Sequence, residues 1–247
     1  VEGLPERLSE LWERLSDDEP RLQAKCALQY ASVLSVVGRR QSAREWMTRG
    51  LEASRRAGAE QLETWAHQRL ALNLQDHGEF DGADDHATRS IELARRTGDR
   101  FREIEGMRIR ASILEDRGEP EADELMRRVR REAAEAGYVR LEASALNGLG
   151  ESARFDGRLD DARQFYRSYA ETMREFSRPS SVAVTHWNLA QIELRAGRFD
   201  EATAHREDAE RLGETLGIGT SDEDIGHLVR LTHAAGTRDA EKYRQLW

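Results

Sequence analysis

The sequence predicts an all-α solenoid, a leading helix followed by about six helix-turn-helix repeats. Three observations carry this. The first is a ladder of glycines, Gly38, Gly78, Gly118, Gly157, Gly197 and Gly236, separated by 40, 40, 39, 40 and 39 residues. The second is an interleaved set, Gly58, Gly98, Gly137 and Gly217, with Ser177 in the remaining slot. The third is composition. Charged residues make up 34% of the chain and aromatics 6%, and Ala, Leu, Glu and Arg dominate, which favours helix and leaves little to build a sheet.

Each element follows from the spacing of these marks. Glycine reaches the left-handed conformation that ends a helix, so each one predicts a C-terminal cap. Between caps, apolar residues recur at three and four, as at His67, Leu70 and Leu74, at Leu146, Leu149, Gly150 and Ala153, and at Leu189, Ala190 and Ile192. After each turn glycine comes an alanine: Ala43, Ala83, Ala122, Ala162, Ala202 and Ala240. The pattern places a leading helix over 4–16 and helix pairs over about 21–57, 60–97, 100–136, 138–177, 180–216 and 221–247. Pro5, Pro20, Pro120 and Pro179 fall at predicted helix starts, where a missing N–H costs nothing. Glu45 with Arg49, Glu52 with Arg56 and Glu92 with Arg96 form i,i+4 pairs on exposed faces. No composition break divides residues 1–247, so a single domain is expected, with Gly217–Asp222 as its loosest connection.

A formal net charge of −9 argues against general nucleic-acid binding, which depends on neutralising phosphates. Cys26 is the only cysteine, which excludes an internal disulfide and suits a cytoplasmic setting. No apolar run approaches the ~20 residues of a membrane span, so no membrane partner is expected. The chain starts at Val1 rather than Met and reads as a segment of a longer protein.

The fourth repeat carries Leu146, Leu149, Gly150 and Ala153, then Gly157, Ala162 and Tyr166. Seven residues before each turn glycine stand Ala31, Ala71, Ala111, Gly150, Ala190 and Val229, small residues in all but the last. This pattern resembles the tetratricopeptide repeat family, with a longer period than its usual one and without its closing proline. The resemblance runs from about Arg21 to Trp247 and implies a right-handed superhelix whose first helices line a concave groove. Repeats of this length resemble those of bacterial signalling proteins, where they stand beside a kinase, ATPase or DNA-binding module.

If the first helices line a groove, the slots 13, 10, 6 and 3 residues before each turn glycine share that face. They hold Trp65, Gln68, Leu72 and Gln75 in the second repeat, and Arg108, Ser112 and Glu115 in the third. The fourth contributes Asn147, Glu151 and Arg154, and the fifth Trp187, Gln191 and Leu194. Aromatic anchors beside amides and charges suit a protein or peptide partner. The family's carboxylate-clamp slots hold Leu28 and Ser32 in the first repeat, so that specialised mode is not expected.

No phosphate loop, His-Glu-x-x-His, cysteine pair or Gly-x-Ser-x-Gly is present, so no catalytic residue, metal site or cofactor is expected. His67 and His186 stand eleven residues before their turn glycines and read as packed interior residues. Asp84, Asp85 and His86 read as a solvated helix start, and Arg127, Arg128, Arg130 and Arg131 as a solvated face paired with Asp123 and Glu124. The expected function is a non-enzymatic binding scaffold in a bacterial signalling protein. The alternative is a regulatory domain whose superhelix changes pitch when it binds a peptide or ligand. The C-terminal end, with Tyr243, Leu246 and Trp247, offers a surface for self-association.

Overall fold

The computed structural model describes residues 4–175 and 178–216. It is all helix and turn over those residues: α1 (Leu4–Arg14), α2 (Pro20–Val36), α3 (Arg40–Arg56), α4 (Glu60–Gln75), α5 (Phe80–Thr97), α6 (Arg100–Asp116), α7 (Glu121–Glu135), α8 (Val139–Phe155), α9 (Leu159–Glu175), α10 (Pro179–Arg195) and α11 (Phe199–Leu216). The expected boundaries agree to within about two residues, which is the usual latitude of helix ends. The sixth pair, with Val229, Gly236, Tyr243, Leu246 and Trp247, lies outside the described residues, as do Ser177 and Gly217.

The turn glycines explain the regularity. Gly38, Gly58, Gly78, Gly98, Gly118, Gly137, Gly157 and Gly197 all have positive φ. At the first of them Gly38 N–H donates to the Ser35 carbonyl at 3.2 Å, and Arg39 N–H to the Leu34 carbonyl at 2.9 Å. This paired capping satisfies carbonyls that the helix end would otherwise orphan.

The chain divides into two compact units, one up to Leu141 and one from Glu142. In the first, each helix packs on the next, and the first helices of successive repeats also touch, α2 on α4 and α4 on α6. Leu28, Leu34, Met47, Leu51 and Leu70 form one core cluster, with Trp46 and Trp65 packed against it. Trp12 docks α1 edge-on against Trp46, ring centroids 5.1 Å apart. A second cluster joins Ala71, Ala83 and Ala87 to Ile109 and Ile113.

In the second unit Ala153, Ala162 and Tyr166 pack with Leu189 and Ile192, while Trp187, Ala190 and Leu194 pack with Ala202 and Ala209. The small slot works as expected. Ala31, Ala71, Ala111 and Ala190 have no exposed surface, and a Cβ on Gly150 would meet the Tyr166 ring at 3.0 Å. Side chains of that size let helix backbones approach. The second helices, such as α5 and α7, bury one stripe, whereas α6 buries Glu103, Ile104, Gly106, Met107, Ile109, Ala111, Ile113 and Leu114, residues spread around its circumference. A helix flanked on several sides has to be buried in that way.

Candidate functional site

In the first unit the expected groove residues mostly hold α4 against α6. Gln68 is only 2% exposed. It donates to the Arg102 carbonyl at 2.7 Å and accepts from the Arg102 guanidinium at 3.0 Å. Gln75 donates to Ser112 Oγ at 2.8 Å and to the Asp116 carboxylate at 2.6 Å. Arg108 is paired with Glu105 one turn earlier, at 3.0 Å. Glu115 is half-buried and holds an interaction of its own. Trp65 is half-buried, packed on the core with the Arg102 guanidinium 6.0 Å from its ring centre.

In the second unit Asn147 and Gln191 are half-buried. Glu151 and Arg154 pair at 2.5 Å, and Glu151 also accepts from the Tyr166 hydroxyl. Burial first, and then the Glu151 carboxylate, push the Tyr166 pKa well above its ordinary value. Trp187 is 5% exposed and belongs to the core. It therefore offers no ring surface to a partner, contrary to the expectation of an anchor there.

The reason is positional. Gln68 and Trp187 both occupy the slot ten residues before the turn glycine, and both are buried. In repeat 2 that slot faces the next first helix, as the Gln68–Arg102 bonds show. The sequence spacing placed it on the open face instead.

A feature that sequence reasoning missed recurs in repeats 2 and 5. His67 on α4 meets His86 on α5, Nδ1 to Nδ1, at 2.7 Å. His186 on α10 meets His205 on α11 in the same way at 3.1 Å. Each pair is 19 residues apart. The signal was present: both second-helix histidines stand eight residues after their turn glycine, the partners of the two first-helix histidines. His86 is thus half-buried against His67 rather than part of a solvated cluster, and its neighbour Asp84 pairs with Arg110 at 2.7 Å.

The two pairs sit in different surroundings. Burial, then His86, Arg55 and Arg89, hold the His67 pKa down to about 3. Arg55 lies 3.4 Å from His67 Nε2. A guanidinium can only donate, so a hydrogen bond from Arg55 requires Nε2 to accept and assigns the His67 proton to Nδ1, towards His86; Glu63 Oε1 stands farther from the same nitrogen, at 3.8 Å. In repeat 5 the position of Arg89 is taken by Asp208, whose Oδ2 lies 3.6 Å from His186 Nδ1. Burial lowers the His186 pKa, and Asp208 opposes that shift.

Beside this second pair lies a cavity of about 640 Å³, lined by Arg174, Arg178, Arg211, His186 and Asp208, with Pro179, Val182 and Leu212 as its apolar part. In repeat 2 the corresponding positions hold ion pairs. There Glu63 pairs with Arg55 at 2.9 Å and Glu60 with Arg96 at 2.6 Å. By distance from the turn glycine, Glu63 becomes Val182, Glu60 becomes Pro179 and Arg96 becomes Thr215, while Arg55 persists as Arg174. Among the described residues Arg174 and Arg178 make no ion pair. Arg211 is held by Asp208.

No family model matches the sequence. No curated protein matches it either. Solved structures do. The quorum sensor NprR of B. thuringiensis, in its apo form, superposes with a TM-score of 0.77 at 14% identity, over 98% of this chain and 66% of its own. A Rap protein complexed with competence and sporulation factor gives 0.74 at 14%, over 100% of this chain and 68% of its own. The Rap conjugation gene regulator of plasmid pLS20, in complex with the Phr* peptide, gives 0.68 at 14%, over 90% and 61%. At such identities the likeness concerns the backbone. The chain has the all-α fold of tetratricopeptide-like helical-repeat proteins.

Proposed function

We propose that this chain is a non-enzymatic peptide- or protein-binding repeat scaffold, and that the cavity of the second unit receives an anionic group of the partner. The observation that carries this is two arginines, Arg174 and Arg178, without ion pairs among the described residues, at a cavity with an apolar part. Its volume suits a peptide side chain or chain end, and convergent guanidinium groups beside apolar surface suit a carboxylate. Two of the structural neighbours are complexed with a factor or a peptide, which supports a regulatory form of this reading.

The sequence-derived residues take graded places in this reading. Trp65 supplies aromatic surface in the first unit, where Gln75, Arg108 and Glu115 are half-buried polar groups. Asn147, Glu151, Arg154 and Gln191 are the half-buried polar groups of the second unit. Gln68 and Trp187 serve packing. A setting beside a kinase, ATPase or DNA-binding module, in the cytoplasm, remains part of the proposal.

A displayed random-peptide selection tests it. Wild type should enrich peptides with a free C-terminal carboxylate or an acidic residue beside an apolar one. Arg174→Gln/Arg178→Gln should weaken the enriched peptides about tenfold or more, as expected for losing a charge-assisted hydrogen bond. Enrichment without acidic preference, or equal binding by the variant, would move the site elsewhere.

A further inference from the structure

We infer that His186, His205 and Asp208 form a binding site for a late first-row divalent metal ion such as Zn²⁺. Three potential ligand atoms, one from each residue, lie within 4.8 Å of one another. The spacing is close to what a single ion requires. Ligands about 2.0–2.1 Å from tetrahedral zinc stand about 3.3 Å apart. Here His186 Nδ1 lies 3.1 Å from His205 Nδ1 and 3.6 Å from Asp208 Oδ2, one slightly short and one slightly long. Two imidazoles and a carboxylate favour zinc and its neighbours over calcium or magnesium, which take oxygen ligands.

The local chemistry supports the set. His205 and Asp208 are three residues apart on α11, so they project from one face, and His186 reaches them from α10. Arg211 holds Asp208 Oδ1, leaving Oδ2 towards His186. An outer hydrogen bond of this kind fixes the aim of a ligating carboxylate. Metal binding needs both rings protonated at Nε2 so that both Nδ1 lone pairs converge. Among the described residues nothing donates to Nε2 of His186, so that tautomer is open to it. His186 and Asp208 line the cavity, so a fourth coordination position opens there. Arg174, Arg178 and Arg211 raise the cost of a bare cation at that place and favour an anionic fourth ligand.

Repeat 2 shows what the same histidines do without these features. Arg55 at His67 Nε2 keeps the proton on Nδ1, where a metal would need a lone pair. The two Nδ1 atoms stand only 2.7 Å apart. Arg89, a cation, replaces the aspartate. One chain therefore holds a metal-competent histidine pair and a built-in control. The sequence predicted no metal site because the ligands are brought together across two helices and match no contiguous motif.

The test is calorimetric titration of ZnCl₂ into the full chain, with Co²⁺ visible absorption as a second readout. Wild type should bind one equivalent tightly, and bound Co²⁺ should show the intense bands of low coordination number. Asp208→Asn and His205→Gln should each weaken that binding more than about 100-fold, beyond the ~10–100-fold cost of losing an outer-shell partner. His86→Gln should bind as wild type does. Helicity of each variant is checked by circular dichroism, and if His205→Gln unfolds, Asp208→Asn decides. Absence of a tight equivalent, an Asp208→Asn variant that binds like wild type, or an equal loss in His86→Gln overturns the assignment. Because Zn²⁺ and Co²⁺ are added without peptide, the result stands apart from the peptide-binding reading.

Discussion

Repeats 2 and 5 start from the same plan and end in different places. Both place a histidine on the first helix against a histidine on the second, and both bury the slot ten residues before the turn glycine. In repeat 2 the surrounding charges are paired: Arg55 with Glu63 and Arg96 with Glu60, and Gln68 is bonded to Arg102. In repeat 5 the two glutamates have become Val182 and Pro179, the arginine facing the histidines has become Asp208, and a cavity stands where the ion pairs were. The repeat supplies a scaffold position. A few substitutions around it change which charges stand there and whether they are paired.

The largest expected effect comes from the buried slot. Trp187→Ala should lower the unfolding free energy by about 3–5 kcal/mol, as for other buried aromatics. Gln68→Ala should cost only about 1–3 kcal/mol, mostly through the Arg102 groups left without their partner. Urea unfolding monitored by helicity measures both. Equal costs would show that the two slots are not packed alike.

Acid comes next. Folded His67 holds its pKa near 3, and an unfolded histidine titrates near 6.5. The unfolded state therefore binds a proton that the folded state refuses. The contribution of His67 to stability is full above pH 6.5 and is lost as pH falls towards 3. Between pH 7.5 and pH 5 the loss should be on the order of 2 kcal/mol. In His67→Gln this part of the pH dependence should disappear. An unchanged slope would place the acid sensitivity elsewhere.

A smaller change should follow from moving one charge of repeat 5 into repeat 2. Arg89→Asp removes a cation that lowers the His67 pKa. It should flatten the same pH dependence by less than about 1 kcal/mol, since the exposed position is screened by solvent. The smallest effect belongs to the cavity: Arg174→Gln/Arg178→Gln should leave stability within about 0.5 kcal/mol of wild type, because these exposed arginines make no ion pair among the described residues. A large loss would mean that they hold the fold together and are not free to bind.

Much of the fold was legible because its signals are local. Gly78 and Gly197 can end a helix by themselves, and Ala71 and Ala190 are small whatever they meet. The candidate site was less legible. Trp65 and Trp187 look alike in sequence, yet Trp65 keeps part of its ring accessible and Trp187 does not. Their slots differ by three residues, most of a helical turn, and which side of a first helix is covered depends on its neighbours. His67 and His186 read as interior from their spacing, while their pairing with His86 and His205 spans 19 residues, which no helical periodicity marks.

By itself, then, the sequence determined the all-helical repeat plan, the turn positions, the close-packing slots and the absence of contiguous catalytic motifs. Capping glycines, apolar spacing and side-chain size act within one helix or one turn, so they can be read along the chain. Only the tertiary structure decided which groove residues are sealed, that Arg174 and Arg178 border a cavity, and that Asp208 faces one histidine pair where Arg89 stands by the other. Those outcomes depend on distances between atoms on different helices, and burial and charge there are set jointly by residues far apart in the sequence.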